Sequence, residues 1–440
     1  MHTEDIFSSV RNCISQIEKR KQSFVFSPET DFTRSRKISF SDCLTGCLFM
    51  AGGTLFSELV EIYESRIDIP TPSAFIQQRS KIKPEAFMEL FAQSYTLMPE
   101  RYDSHGYRLF AVDGTDFQIP LNPDDASTFC PSGDAQKPVS MMHLNALYDI
   151  LSSSYVDAVL QGRNDWNETD ACVEMVKRSQ LDKVILTADR GYESYNLMAH
   201  VLEKGWEFLI RVRDGGGKGI ISRLDLPDED TFDVDISLNI TRKCSNEVKR
   251  LVRDYPNEYR YAPPCSRMDF LEQSAYRDPP TFYKLPFRVV RIRLSDGTYE
   301  VILTSLPRDE YPAEEIKRLY RLRWDIETSF RTLKYNVGLI YPHSKKKNLQ
   351  IQEVYACLAM YNIVAAVVSG IGIPDSESGR EYIVNMANAV RICRKLLLER
   401  ILFKTAEILL RRSAVPIRKG RRFQRRPAQR KAPNLIYRLS

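Results

Sequence analysis

Three acids and one short helix hold the side chains best suited to chemistry. Asp113 lies in FAVDGT, Asp189 in ILTADRGY, and Glu327 in YRLRWDIETSFRTLK at 320–334. Carboxylates are the donors that hard divalent cations prefer. Two such cations held side by side clamp the attacking and leaving oxygens of an in-line displacement at phosphorus. The acids must then come from rigid elements that converge, and strand ends and helix faces do this well. Pro312 followed by Glu314 and Glu315 marks a helix start, and Ile316, Leu319, Ile326, Phe330 and Leu333 then recur at helical spacing. At ~100° per residue, Tyr320, Arg323, Glu327 and Lys334 fall within an arc of roughly 60° bordering that apolar stripe. On its own this edge also fits a solvated face with an Arg323–Glu327 i,i+4 pair.

The elements that position these acids read as a mixed α/β sheet. RLFAVDGTDFQI, MMHLNALYDI and SSYVDAVLQ read as three strands, and ETDACVEMVKRS as a helix. DKVILTADRGY then supplies a strand, NLMAHVLEKG a helix and WEFLIRVR a strand, an order of hairpins first and crossovers later. Residues 216–306 change texture. TFDVDISLNITRK alternates, and FRVVRIRLSDGTYEVILTSL is a hairpin turning at Asp296-Gly297. This stretch is a β-rich insertion or an extension of the sheet. Helical segments are expected at 349–372 and 376–410.

The first hundred residues read as helical. In TPSAFIQQRSKIKPEAFMELF, Thr71 before Pro72 and Pro84 before Glu85 mark two helix starts. Two short helices with Arg79, Lys81 and Lys83 between them suit a helix-turn-helix, a shape common outside DNA-binding proteins too.

The chain has 440 residues, 43% hydrophobic and 27% charged, ordinary for a soluble globular protein of two to four domains. MHTEDIFSSV lacks a secretory pattern. The apolar run 358–373 contains Asn362 and Ser369 and is shorter than the ~20 residues of a spanning helix, so it reads as a buried core helix. Nine dispersed cysteines with no C-x-x-C pair point to reduced thiols, and Cys43 and Cys47 to core packing. A prokaryotic cytoplasmic location, associated with the nucleoid and away from any membrane, is the expectation. Residues 411–431 carry ten Lys/Arg and no acid. Removing those ten from the net +6 leaves −4 elsewhere, so the basic character is a local tail. Such a tail, with Arg421 and Arg422 at its centre, suits nucleic acid.

Together these residues resemble the DDE transposases of bacterial insertion sequences. Asp113, Asp189 and Glu327 look like the acidic triad. Tyr320, Arg323, Glu327 and Lys334 have the spacing of the Tyr-Arg-Glu-Lys (YREK) signature of the cut-and-paste group. DGT, ADRGY, QQRSKIKPEAF and YPHSKKK add to the likeness, which runs over roughly 70–425. The resemblance implies a ribonuclease-H-like core interrupted by a β-rich insertion, with helical N- and C-terminal regions. The expected units are a DNA-binding region at 1–105, the core at 106–215 and 307–372, the insertion at 216–306 and a helical region with the basic tail at 373–440. It further implies two Mg²⁺ ions, with Mn²⁺ as a substitute, held by Asp113, Asp189 and Glu327. Tyr320, Arg323 and Lys334 would face the DNA backbone, with Arg190, Arg421 and Arg422 as further contacts. Trp324 would stack on a splayed base or pack in the core. The expected substrate is double-stranded DNA, as element ends and target. End cleavage frees a 3′-OH, which forms and reopens a hairpin and then attacks target DNA, within a homodimer. Asp116 is the rival to Asp113 as ligand, and His143 reads as a hydrogen-bonded core residue. The alternatives are a related nuclease of the same fold and a domesticated DNA-binding protein.

Overall fold

The computed structural model describes residues 3–417, apart from 35, 65–66, 68, 132–136, 215–218, 274–278, 341 and 373–381. Five helices come first: α1 (Thr3–Lys19), α2 (Phe40–Phe49), α3 (Leu55–Ile62), α4 (Pro72–Arg79) and α5 (Glu85–Tyr95). Thr71 caps α4 by accepting from the Ala74 amide at 3.2 Å. Of the basic residues between α4 and α5, Arg79 is not a surface cation: it is fully buried and bonds to Glu353 at 2.7 Å, while α5 turns Phe87, Leu90 and Phe91 toward the core.

The sheet follows. β1 (Arg108–Ile119), β2 (Phe129–Cys130), β3 (Val139–Asp149) and β4 (Ser154–Gly162) precede α6 (Glu168–Arg178), β5 (Val184–Ala188), α7 (Tyr195–Glu203) and β6 (Glu207–Val212). β7 (Phe232–Thr241), α8 (Asn246–Asp254), β8 (Tyr259–Tyr261), β9 (Tyr283–Arg293) and β10 (Tyr299–Thr304) come next. All ten strands make one sheet in the order β2-β3-β1-β5-β6-β10-β9-β7-β8, with β4 also on β3. β10 lies antiparallel to β6, from Val301 opposite Val212 to Thr304 opposite Leu209. The strands after β6 therefore extend the first sheet. The β9–β10 hairpin turns at Gly297, whose φ of +84 suits glycine.

Both faces of the sheet are covered. Leu109 and Ala111 belong to one core cluster, with α11, whereas Phe110 and Val112 belong to the other, with α6 and α7. Alternation along β1 thus feeds two cores, as expected of a strand buried on both sides.

The last helices are α9 (Ala313–Leu322), α10 (Trp324–Arg331), α11 (Lys347–Gly370), α12 (Met386–Leu397) and α13 (Phe403–Arg412). The 24 residues of α11 are long and apolar enough to cross a membrane by length and composition, but 89% of the apolar window is buried inside the molecule. The helix is longer than the apolar run alone indicates. Asn362 within it is satisfied by the Tyr155 backbone, donating and accepting at 2.8 Å. The stretch 376–410 is not helical throughout. β11 (Tyr382–Val384) pairs antiparallel with β12 (Ala414–Pro416). The β-branched Ile383 and Val415 face each other there and favour the pairing. All nine cysteines are free.

Candidate active site

β1 and β5 run parallel, with Ala111 opposite Thr187. Asp113 and Asp189 each lie two residues further on, so one register brings both to the end of the parallel pairing. Asp113 is not at the end of its own strand. β1 continues to Ile119 because β3 pairs with it throughout, Asp113 opposite Ala146. Past β5, Asp189 caps a short 3₁₀ turn, its Oδ1 accepting from the Gly191 amide at 2.7 Å.

Parity along β1 puts Asp113 on the face of Leu109 and Ala111, where Ile326 and Phe330 of α10 also pack. Ser329 anchors α10 by a 2.8 Å bond to the buried Tyr155 hydroxyl. Glu327 is thereby turned toward Asp113. The helix beneath the Tyr-Arg-Glu-Lys edge is not one regular α-helix. It tightens at Arg323, where the 323 amide reaches Tyr320 and the 326 amide reaches Arg323, and it widens to a π turn over Thr332–Val337. π turns often mark functional segments.

Arg323 joins the acids. Its Nη2 donates to Glu327 Oε1 at 2.9 Å, and its Nη1 lies 3.6 Å from Asp113 Oδ2. Only 5% of Arg323 is exposed. Burial pushes the Asp113 carboxyl up to about 6, with Asp189 and Glu327 adding repulsion; Arg323 and the Gly114 amide oppose the rise. The three acids therefore feel one another.

Lys334 donates to the Asp116 carbonyl at 2.7 Å. Tyr320 is buried, and burial raises its phenol to about 12; its hydroxyl has no hydrogen-bond partner among the described residues. Arg190 is exposed next to Asp189. Trp324 is 47% exposed, with the Arg323 guanidinium 5.9 Å from its ring centre. Arg421 and Arg422 lie outside the described residues. His343 lies in the loop before α11 with its side chain buried, its Nε2 2.8 Å from Glu58 Oε2.

A second cluster backs the first on the opposite face of β1. His143 Nδ1 bonds Asp116 Oδ1 at 2.7 Å, and its Nε2 lies 3.2 Å from Glu168 Oε1. Burial alone would lower this imidazole, but Asp116 and Glu168 outweigh it and raise it to about 9. Asp116 also pairs with Arg163 at 3.0 Å, and Trp166 packs between His143 and Arg163. Glu168 escaped the sequence reading. The acidic start of ETDACVEMV was its one signal, and that start also serves as ordinary helix chemistry. Gly114 makes the approach possible, since a Cβ there would lie 2.3 Å from Glu168 Oε1 and 2.4 Å from His143 Nε2. The Tyr192 hydroxyl is fully buried with no partner among the described residues; its acidity is suppressed by burial and then by Glu168, Cys172, Asp113 and Asp189.

The donor set fits a hard divalent cation by its chemistry: three carboxylates, of which Asp189 and Glu327 lie near enough to Asp113 to add to the rise that burial causes there. Among the described residues, no three His, Cys, Asp or Glu side chains already converge closely enough to hold a metal ion. At least one carboxylate must turn for three to share one.

Known proteins share stretches of this sequence. The putative transposase InsL for insertion sequence element IS186A of Escherichia coli K12 is 35% identical over 96 residues, 21% of this chain and 26% of that protein. The transposase InsG for insertion sequence element IS4, also of Escherichia coli K12, is 21% identical over 301 residues, 67% of this chain and 60% of that protein. The chain thus spans about a quarter of the first relative's length and three fifths of the second's. A solved piggyBac transposase synaptic complex with hairpin DNA aligns over 92% of this chain and 79% of its own. The TM-score is 0.43 and the identity 11%, too loose to fix fold or chemistry. Residues 104–363, which include all three acids, match the family described as the transposase DDE domain. On that match over more than half its length, the chain belongs to the DDE transposase family.

Proposed function

We propose that this chain is the transposase of an insertion sequence, cutting the element's ends and joining the freed 3′-OH to target DNA by a cut-and-paste route with a hairpin intermediate. The observation that carries the reading is the shared register of Asp113 and Asp189 at the end of the β1–β5 pairing, with Glu327 linked to Asp113 through Arg323. In this reading Asp113, Asp189 and Glu327 hold Mg²⁺, or Mn²⁺ in its place, as Lewis acid for the attacking and leaving oxygens. The sheet is a ribonuclease-H-like core extended by β7–β10.

The chain's own residues do the rest. Arg323 opposes the rise that burial imposes on the Asp113 carboxyl and is placed to swing its guanidinium onto a phosphate when the acids are otherwise compensated. Lys334, held at Asp116, offers a point charge beside the same phosphate. Tyr320 gives the helix edge a buried hydroxyl donor, and Trp324 offers an aromatic face. The basic tail, with Arg421 and Arg422, adds backbone contacts. The enzyme works as a homodimer on two DNA ends, in a prokaryotic cytoplasm.

The test is a cleavage assay with Mg²⁺ and a duplex carrying the gene's own flanking ends, wild type against Asp189→Ala. Expected are 3′-OH nicks and hairpin ends from the wild type and neither from the variant. Wild-type binding without cutting would favour a domesticated DNA-binding protein. Nicking without hairpins or joining would favour a related nuclease.

A further inference from the structure

Beside Asp189 the surface opens into a cavity of about 510 Å³ between the 3₁₀ turn at 190–192, the end of β6 and strand β8. Five arginines line it: Arg190, Arg213, Arg223, Arg260 and Arg267. Glu193 is the one acid among its described lining residues, and that carboxylate accepts from the Ile220 amide. Arg267 is already balanced by Asp170 and Asp269. Arg190, Arg213 and Arg223 have no ion pair among the described residues, and all three are exposed.

Arg260 differs from these. It is 3% exposed, its Nη2 donates to the Arg223 and Pro256 carbonyls at 3.0 and 3.4 Å, and its Nε has no partner among the described residues. Holding an uncompensated guanidinium inside the wall of a cavity costs free energy unless an anion answers it. A second cavity of about 470 Å³ shares Arg190 and Arg213 with the first. There Arg211 is paired with Glu300, and Asp214 with Arg291, so the unpaired cations of the second cavity are the shared Arg190 and Arg213, while Arg223 and Arg260 belong to the first alone. The two spaces adjoin along Arg190 and Arg213, and Arg190 follows Asp189 directly.

We infer that this arginine-lined cavity is a separate DNA-backbone site, holding consecutive phosphates of the strand that leaves the scissile position on the Asp189 side. Guanidinium groups pair with phosphate oxygens through two parallel hydrogen bonds, which suits a backbone that must be held in register. Several arginines spread over two adjoining spaces fit a run of phosphates better than a single anion. The strand would then be gripped between the sheet core and the β7–β10 extension, fixing which phosphate reaches the acids.

This inference rests on the proposed DNA substrate, and its test keeps the two apart. The double variant Arg213→Ala/Arg223→Ala changes only exposed side chains, and its melting temperature checks that the fold is intact. Binding of an end-bearing duplex is followed by fluorescence anisotropy across salt concentrations, with hydroxyl-radical footprinting of the complex. Two lost phosphate contacts should lower the slope of log K against log salt by about 1.8. Footprint protection should vanish on one side of the cut only. An unchanged slope with an unchanged footprint overturns the inference. So does competition by inorganic phosphate or a deoxynucleotide as effective as the duplex, which would make this a small-anion site. Glu327→Ala is the control for the reaction, keeping the footprint while losing cleavage. If the wild type shows the footprint yet never cuts, the transposase reading fails and the backbone site stands.

Discussion

Replacing Asp113 by asparagine should make the protein more stable at neutral pH, although it removes a group proposed to act in catalysis. Asp113 is buried beside two other acids, and its carboxyl is pushed up from 3.8 to about 6. Between those two values the unfolded chain has released the proton and the folded chain still holds it, so stability falls as pH rises through this window. Above pH 6 the loss is complete and constant. A shift of that size corresponds to about 3 kcal/mol at pH 8 and about half as much at pH 5. These are ceilings, because the neutral amide would forgo the attraction of Arg323, and Arg323 would keep only Glu327 as its acid. A net gain of about 1–2 kcal/mol at pH 8 is expected, shrinking toward zero or reversing at pH 5. The assay is thermal melting of wild type and Asp113→Asn in EDTA at both pH values, where the variant should melt a few degrees higher at pH 8. A variant less stable at pH 8, or a gap independent of pH, would refute the reasoning that burial, with the neighbouring acids, raises the Asp113 carboxyl.

Three further outcomes follow from the same geometry. Gly114→Ala should lower stability by about 1–3 kcal/mol, measured by denaturant unfolding, because its methyl group would displace Glu168 and the buried His143; an unchanged midpoint would show that both side chains yield freely. Glu327→Ala should bind end DNA at near wild-type affinity but produce no nicks, read on a denaturing gel; normal nicking would remove it from the proposed triad. Deleting residues 418–440, which leaves α13 and β12 in place and removes eight of the ten basic residues of 411–431, should weaken DNA binding and flatten its salt dependence, with a slope loss of roughly 0.9 per phosphate contact removed; an unaltered slope would remove these residues from the proposed DNA contacts.

Local pattern made much of the scaffold readable in the chain. The helix at 168–178, the hairpin at Asp296-Gly297 and the helix start at Pro312 are all governed by neighbouring residues, through strand alternation, capping and turn chemistry. The order Asp113, Asp189, Glu327 could be read as well, since the first two follow apolar strand segments and the third sits on an amphipathic helix. Long-range packing settled the rest. Pairing with β3 carries β1 past Asp113 to Ile119, whatever the local sequence favours. Arg79 looked like a surface cation in a turn, and only the buried Glu353, 274 residues away, makes it a core residue.

Arg323 and Glu327 were legible as an i,i+4 pair, but that Arg323 also reaches Asp113 depends on how α10 packs on the sheet. Glu168 and His143 come together across a glycine on a third element, and no spacing in the chain encodes that meeting. The same holds for the arginines beside Asp189. The sequence by itself determined which residue types were present and which lay on rigid elements, because periodicity and caps are local properties. Only the tertiary structure decided which of them share a site, because strand order and helix packing bring together residues that the chain keeps far apart.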